Sequence, residues 1–212
     1  MSSSSRQTIL DRIRSATGKA EAGQYDDLPR NYIRTGLLNT KDKLALLVER
    51  LREYDAEVVE AAETELISAI GAQLGQSGRQ SFLAPSGLPR AWQTKGFAWS
   101  VDNGLTTAEI ELGQGVVTGA SCAIADSGTI VLHHSSIEGR RALTLLPDWH
   151  LCILRASQVV ETLPEYFRRY LQPPTLATYI SGPSATADIE MTRIKGVHGP
   201  RFLHVILVRD DR

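Results

Sequence analysis

The sequence is short of the residues that most readily identify a chemistry. Only two of its 212 residues are cysteine, Cys122 and Cys152. Each lies in an apolar run, and they form no CxxC pair, so buried thiols are expected rather than a disulfide or metal ligands. Two cysteines also fall short of the roughly four ligands that an iron–sulfur cluster requires. The five histidines, His133, His134, His150, His198 and His204, show no HExxH or other metal spacing. Neither GxGxxG, nor a GK[ST] loop, nor a GxSxG elbow occurs, which removes the common nucleotide and nucleophile fingerprints. Apolar runs fall short of the roughly 18 residues needed to span a bilayer. Residues 1–10 are serine-rich and polar, without the apolar centre of a secretory signal. A cytoplasmic protein binding no metal or cofactor of its own is the expectation.

Charge is nearly balanced, 23 basic against 24 acidic residues. A clearly basic face is the usual footprint for nucleic acid, so none is expected as a partner. What the chain does have is an ordinary apolar content of 42%, enough for one α/β domain. Residues 6–16 place Ile9, Ile13 and Ala16 at helical spacing, and 23–40 are polar and irregular, so 1–40 reads as an N-terminal helical arm. The arm would pack on the main body or on a second copy, making a homo-oligomer. Thr40 is the expected N-cap of a helix carrying Leu44, Leu47, Val48 and Leu51 on one stripe.

From residue 41 the pattern alternates short strands and helices: strand 57–61, helix 63–74, strand 81–84, a short helix at 88–94, and an extended piece at 97–101. Such alternation predicts a three-layer α/β domain over 41–212, a mostly parallel, mixed sheet between helices. Two β-like runs, 116–125 and 129–133, are separated only by Asp126-Ser127-Gly128, a gap that demands an antiparallel hairpin. Strands are expected again at 151–154, 177–180 and 203–208, with an amphipathic helix over 159–171 ended by Pro173-Pro174.

Four clusters of small and polar residues fall at the ends of these strands, where open α/β sheets bind ligands. Thr118-Gly119-Ala120-Ser121 suits either close packing or the wall of a site. Asp126-Ser127-Gly128-Thr129 reads either as a plain turn, with Gly128 at positive φ, or as a carboxylate and two hydroxyls beside free amides. The segment 181–190 leads from a strand through Gly182 toward a helix start capped by Ser184 or Thr186. Its amides would favour an anion, while Asp188 and Glu190 would orient a hydroxyl or a cation. Gly196-Val197-His198-Gly199-Pro200 either aims His198 at a cleft or is a surface turn. Arg141, with Arg140 and His150, is a weaker basic group for a carboxylate. The residues alone thus reach an α/β protein with a candidate small-anion site: Asp126, Asp188 and His198 as acid–base candidates, the others as ligand contacts.

The stretch 117–132, containing Thr118-Gly119-Ala120 and Ala123-Ile124-Ala125-Asp126-Ser127-Gly128-Thr129, resembles the signature of the lactate-utilization protein C family, the LUD domain. The likeness continues through Arg141, Leu146-Pro147 and His150, through Gly182-Pro183-Ser184-Ala185-Thr186-Ala187-Asp188-Ile189-Glu190, and ends at Gly196-Val197-His198-Gly199-Pro200. Ser127 stands where the family usually has threonine, which keeps the hydroxyl. The resemblance implies a fold like the sugar-phosphate isomerase and CoA-transferase group. It also implies an accessory role beside two iron–sulfur proteins that oxidise L-lactate to pyruvate, with the clusters on those partners. Two other readings stay open: an independent enzyme acting on a phosphorylated or CoA-linked metabolite, and a pure interaction subunit.

Overall fold

The computed structural model describes residues 3–17, 28–29, 31–182 and 199–210, and the chain divides into two units, Met1–Ile33 and Arg34–Arg212. The first holds α1 (Ser3–Thr17), one residue longer at its end than the apolar spacing suggests and more than that at its start. Gln7 and Arg14 both donate to Asp11 across single helical turns.

The second unit opens with Asn39, whose side chain accepts from the Asp42 amide at 2.9 Å and caps α2 (Thr40–Glu53). The cap is therefore Asn39 and not Thr40, because Asn39 keeps extended backbone while Thr40 is already helical. The expected stripe is confirmed: Leu47, Val48 and Leu51 are buried and Leu44 packs partly beside them.

Six strands form the main sheet: β1 (Glu57–Ala62), β2 (Ser81–Pro85), β3 (Ala98–Asp102), β4 (Gly115–Gly119), β7 (Trp149–Arg155) and β10 (Phe202–Arg209). Their order is β1-β10-β7-β4-β2-β3, and every pairing is parallel. A second sheet, ordered β8-β5-β6-β9, comprises β5 (Cys122–Ile124), β6 (Thr129–Leu132), β8 (Val159–Val160) and β9 (Thr178–Ile180). The expected hairpin is β5–β6, joined through residues 125–128. Two sheets thus stand where one mixed sheet is expected: the larger is wholly parallel, and the small one is itself mixed, antiparallel at β5–β6 and β6–β9 and parallel at β5–β8. The reason is local: the run 116–125 breaks at Gly119-Ala120-Ser121, and the chain leaves β4 to start a separate ladder.

Side chains alternate across the main sheet. Phe82, Val117, Trp149, Leu151, Ile153 and Ile206 share one face with Leu66, Ile70 and Leu74 of α3 (Leu66–Gln76). Cys152, Leu154, Val205 and Leu207 share the other with α2 and with Ala123, Ile130 and Leu132 of the small sheet. The far side of the small sheet carries Cys122, Ile124 and Val131 against Tyr166 of α6 (Leu163–Arg169). Each fully buried Leu, Ile or Phe in these layers contributes about 1.5–3 kcal/mol.

The helix expected over 159–171 is shorter than the apolar pattern suggests. Val159-Val160 pairs with Ala123-Ile124, and the helix starts only at Leu163, after extended Thr162 and with Pro164 in its first turn. The remaining helices, α4 (Thr107–Glu111) and α5 (Arg141–Leu145), are short and close a small core of Leu83, Ile110, Val116 and Leu143. A single 3-10 turn, Arg90–Trp92, replaces the helix expected at 88–94. No helix among the described residues is long and apolar enough to cross a membrane.

Candidate functional site

Strand order locates the place where a ligand is expected. From β2 the chain passes to its outer neighbour β3, with Leu88 and Trp92 covering the face that holds α3. From β4 it departs the opposite way, toward β7, through the small sheet and α5 on the other face. Adjacent strands whose connections leave in opposite directions open a crevice at their carboxyl ends. Here that position lies between the end of β2, running to Gly87, and the end of β4, Gly119-Ala120-Ser121.

A turn of residues 135–139 lies across this position. Ser136 O accepts the Gly87 amide at 2.9 Å, and Ile137 O accepts the Gly119 amide at 3.1 Å. The approach is close enough to need glycine: a Cβ on Gly87 would stand 2.6 Å from the Ser136 hydroxyl, and one on Gly119 3.2 Å from Ile137. Beneath the turn Glu138 is fully buried. Its carboxylate accepts from the Ser121 hydroxyl at 2.5 Å, the His133 amide at 2.8 Å and the Ser135 amide at 2.9 Å. Three donors compensate the loss of water around a buried charge. His134 enters the turn at φ 56, a conformation costly for a residue with a Cβ. Its Nδ1 donates to Gly139 O at 2.9 Å, so in the neutral ring Nε2 accepts from the Thr178 hydroxyl, also at 2.9 Å.

An aromatic group borders the same end of the small sheet. Tyr179 donates to the Tyr166 hydroxyl at 3.2 Å, which leaves the Tyr166 proton for His133 Nε2 at 2.9 Å. Burial pushes the His133 imidazole below its ordinary value, favouring the neutral ring that this chain needs. Burial, reinforced by Tyr179, pushes the Tyr166 phenol above the usual tyrosine range. Tyr170 packs edge-on to His133, with centroids 4.7 Å apart, and donates to Ser121 O at 2.8 Å. These groups suit hydrogen-bond donation and proton holding, not a charged phenolate.

The residues singled out from the sequence fall at two ends of the β5–β6 hairpin. At the turn end, Ser127 and Thr129 hydroxyls are 2.8 Å apart, and Thr129 reaches Ser181 at 3.2 Å. Gly128 adopts φ 62, as its place in the turn requires, and its carbonyl accepts from Tyr54 at 2.8 Å. Gly182 lies against the same tyrosine, so the two signature segments do meet where they are described. Asp126 and Ser127 are exposed. The Asp126 and Gly128 amides, however, bond to Glu161 O and Ala125 O.

At the other end are Thr118 and Gly119, separated from the turn by the length of the hairpin. Thr118 is fully buried, with its hydroxyl on Gly119 O at 2.8 Å and on His150 Nε2 at 2.7 Å. Arg141 is the exposed first residue of α5. Ser184, Thr186, Asp188, Glu190 and His198 lie outside the described residues. Sequence reasoning missed Glu138, His133, Tyr166, Tyr170 and Tyr179. A signal was available in the polar run His133-His134-Ser135-Ser136 directly after a strand, and in Tyr166 and Tyr170 one helical turn apart. Among the described residues no group of three His, Cys, Asp or Glu side chains is placed to hold a metal ion.

A parallel six-stranded sheet beside a small mixed sheet, whose central hairpin β5–β6 is inserted between β4 and β7, defines an open α/β protein with its switch point between β2 and β4. More particularly, the chain belongs to the LUD domain family, whose model matches residues 37–208. It is 37% identical over 194 residues to "Lactate utilization protein C" of Deinococcus radiodurans, a match covering 90% of this chain and 91% of that protein. The lactate utilization protein C of Bacillus subtilis is 26% identical over 233 residues, covering 97% of this chain and 96% of the relative. The crystal structure of a DUF162 family protein from Deinococcus radiodurans superposes with a TM-score of 0.71 at 34% identity. It covers 81% of this chain and 99% of that one.

Proposed function

We propose that this protein acts in lactate utilization, as a cytoplasmic accessory component of a system that oxidises L-lactate to pyruvate beside two iron–sulfur proteins. The observation that carries the reading is the near full-length likeness to proteins named for lactate utilization. The redox centres are assigned to the partners. That assignment is supported by the chain's having only two cysteines. Both sit in apolar cores, and burial pushes the Cys122 and Cys152 thiols up to about 11 and about 12, so a thiolate ligand is strongly disfavoured there. A small anionic ligand completes the reading, because open α/β sheets bind such molecules at strand ends.

Deleting the gene should abolish or strongly slow growth on L-lactate as sole carbon source, with growth on glucose unchanged. Undiminished growth on L-lactate would overturn the proposal. Pull-down of the native protein from lactate-grown cells should recover two cysteine-rich proteins. Their absence would remove the accessory role while leaving lactate utilization standing.

A further inference from the structure

The switch-point position is filled by the protein itself, and the way it is filled describes what else would fit. We propose that the 135–139 turn is a displaceable plug over a binding site for a small carboxylic acid that carries a second oxygen acceptor, a 2-hydroxy or 2-oxo acid. The inference rests on the ligand-binding part of the function proposed above and assigns that ligand a place. Three donors lie at the ends of β2 and β4: the Gly87 amide, the Gly119 amide and the Ser121 hydroxyl. All three are met by the plug, through two backbone carbonyls and the buried carboxylate of Glu138. The plug thus offers these donors a carboxylate and carbonyl oxygens, the acceptor types that a 2-oxo acid also carries. The glycines leave the donors approachable, since neither carries a Cβ to screen them.

The plug is also built to move as one piece. Its two ends are His134 at φ 56 and Gly139 at φ 72, the backbone positions where a change of dihedral swings what lies between. Between them the turn closes on itself, with the Glu138 and Gly139 amides both donating to Ser135 O. Strain at His134, held by its ring contacts to Gly139 and Thr178, is released if the turn lifts. Ligand and plug compete for the same donors, so the ligand shifts a population between plugged and open states.

Amide hydrogen exchange on the full chain, read by NMR with and without pyruvate, L-lactate, acetate and inorganic phosphate, tests this. Pyruvate or L-lactate should accelerate exchange of the 135–139 amides by about tenfold or more while the Gly87 and Gly119 amides stay protected. Glu138→Gln, which weakens the plug's anchor but keeps its shape, should bind pyruvate several-fold more tightly than the wild type. Ile137→Ala serves the same purpose if Glu138→Gln does not fold. Pyruvate binding that leaves the 135–139 amides unchanged overturns the plug and leaves the lactate role intact. No binding of either acid by wild type and by a folded plug variant overturns the site. Equal effects from phosphate overturn the assigned ligand class.

Discussion

Acidification should cost this protein stability through one histidine. His150 sits on β7 in the middle of the main sheet, fully buried, with Nε2 2.7 Å from the Thr118 hydroxyl. The Thr118 proton is directed at Gly119 O, so the hydroxyl accepts from His150 Nε2–H. That leaves Nδ1 as the bare lone pair, and among the described residues it has no hydrogen-bond partner. A second proton would place a charged N–H there in an apolar layer, and burial pushes the pKa from 6.5 down to about 4. The unfolded chain therefore binds this proton first, and stability falls as pH drops from 6.5 toward 4. Within that window each pH unit of acidification removes up to about 1.4 kcal/mol. At pH 5, one and a half pH units below the unfolded value, the loss relative to pH 7 comes to about 2 kcal/mol. In a chain of this size that lowers Tm by about 4–8 °C. His150→Gln keeps an amide N–H where Nε2–H stands and removes the titration. Urea unfolding at pH 7 and pH 5 should then show the wild type losing about 2 kcal/mol more than the variant. Equal losses in the two proteins would refute the assignment of the buried tautomer and its cost.

Two further outcomes follow from local geometry. Gly128→Ala should destabilise by about 2 kcal/mol or more in urea unfolding, because φ is 62 and the new Cβ would lie 2.7 Å from Arg50 Cβ. Asn39→Ala should cost about 1 kcal/mol by loss of the cap on α2, whereas Thr40→Ala should change stability by no more than about 0.5 kcal/mol. The reverse order would return the cap to Thr40.

The hairpin was legible because its information is local. Asp126-Ser127-Gly128 leaves room for nothing but a tight turn, and Gly128 supplies the positive φ. The parallel layer was legible in outline, since buried strands such as 151–154 are continuously apolar. What could not be read was which ladder a strand joins. Val159-Val160 looks like the first turn of an amphipathic helix until Ala123-Ile124 is seen to pair with it, a contact between segments far apart in sequence. Glu138 was invisible for the same reason. A single acid in a polar run carries no pattern, and its burial follows from Ser121 arriving at the end of another strand. The candidate residues at 118–119 and 126–129 were found by composition, but composition could not tell that a hairpin's length separates them.

The sheet order also bears on how the chain is made. β10, the last strand, lies between β1, the first, and β7, with Glu57 paired to His204 and Val205 to Cys152. During synthesis β1 emerges long before β10, the strand it pairs with. Nonlocal parallel pairing of this kind is intrinsically slow and exposed to aggregation. A nascent chain stalled before Phe202 would therefore leave β1 detached from the sheet and β7 without a neighbour on one side. Assembly of the main sheet is thus completed only after β10 leaves the ribosome.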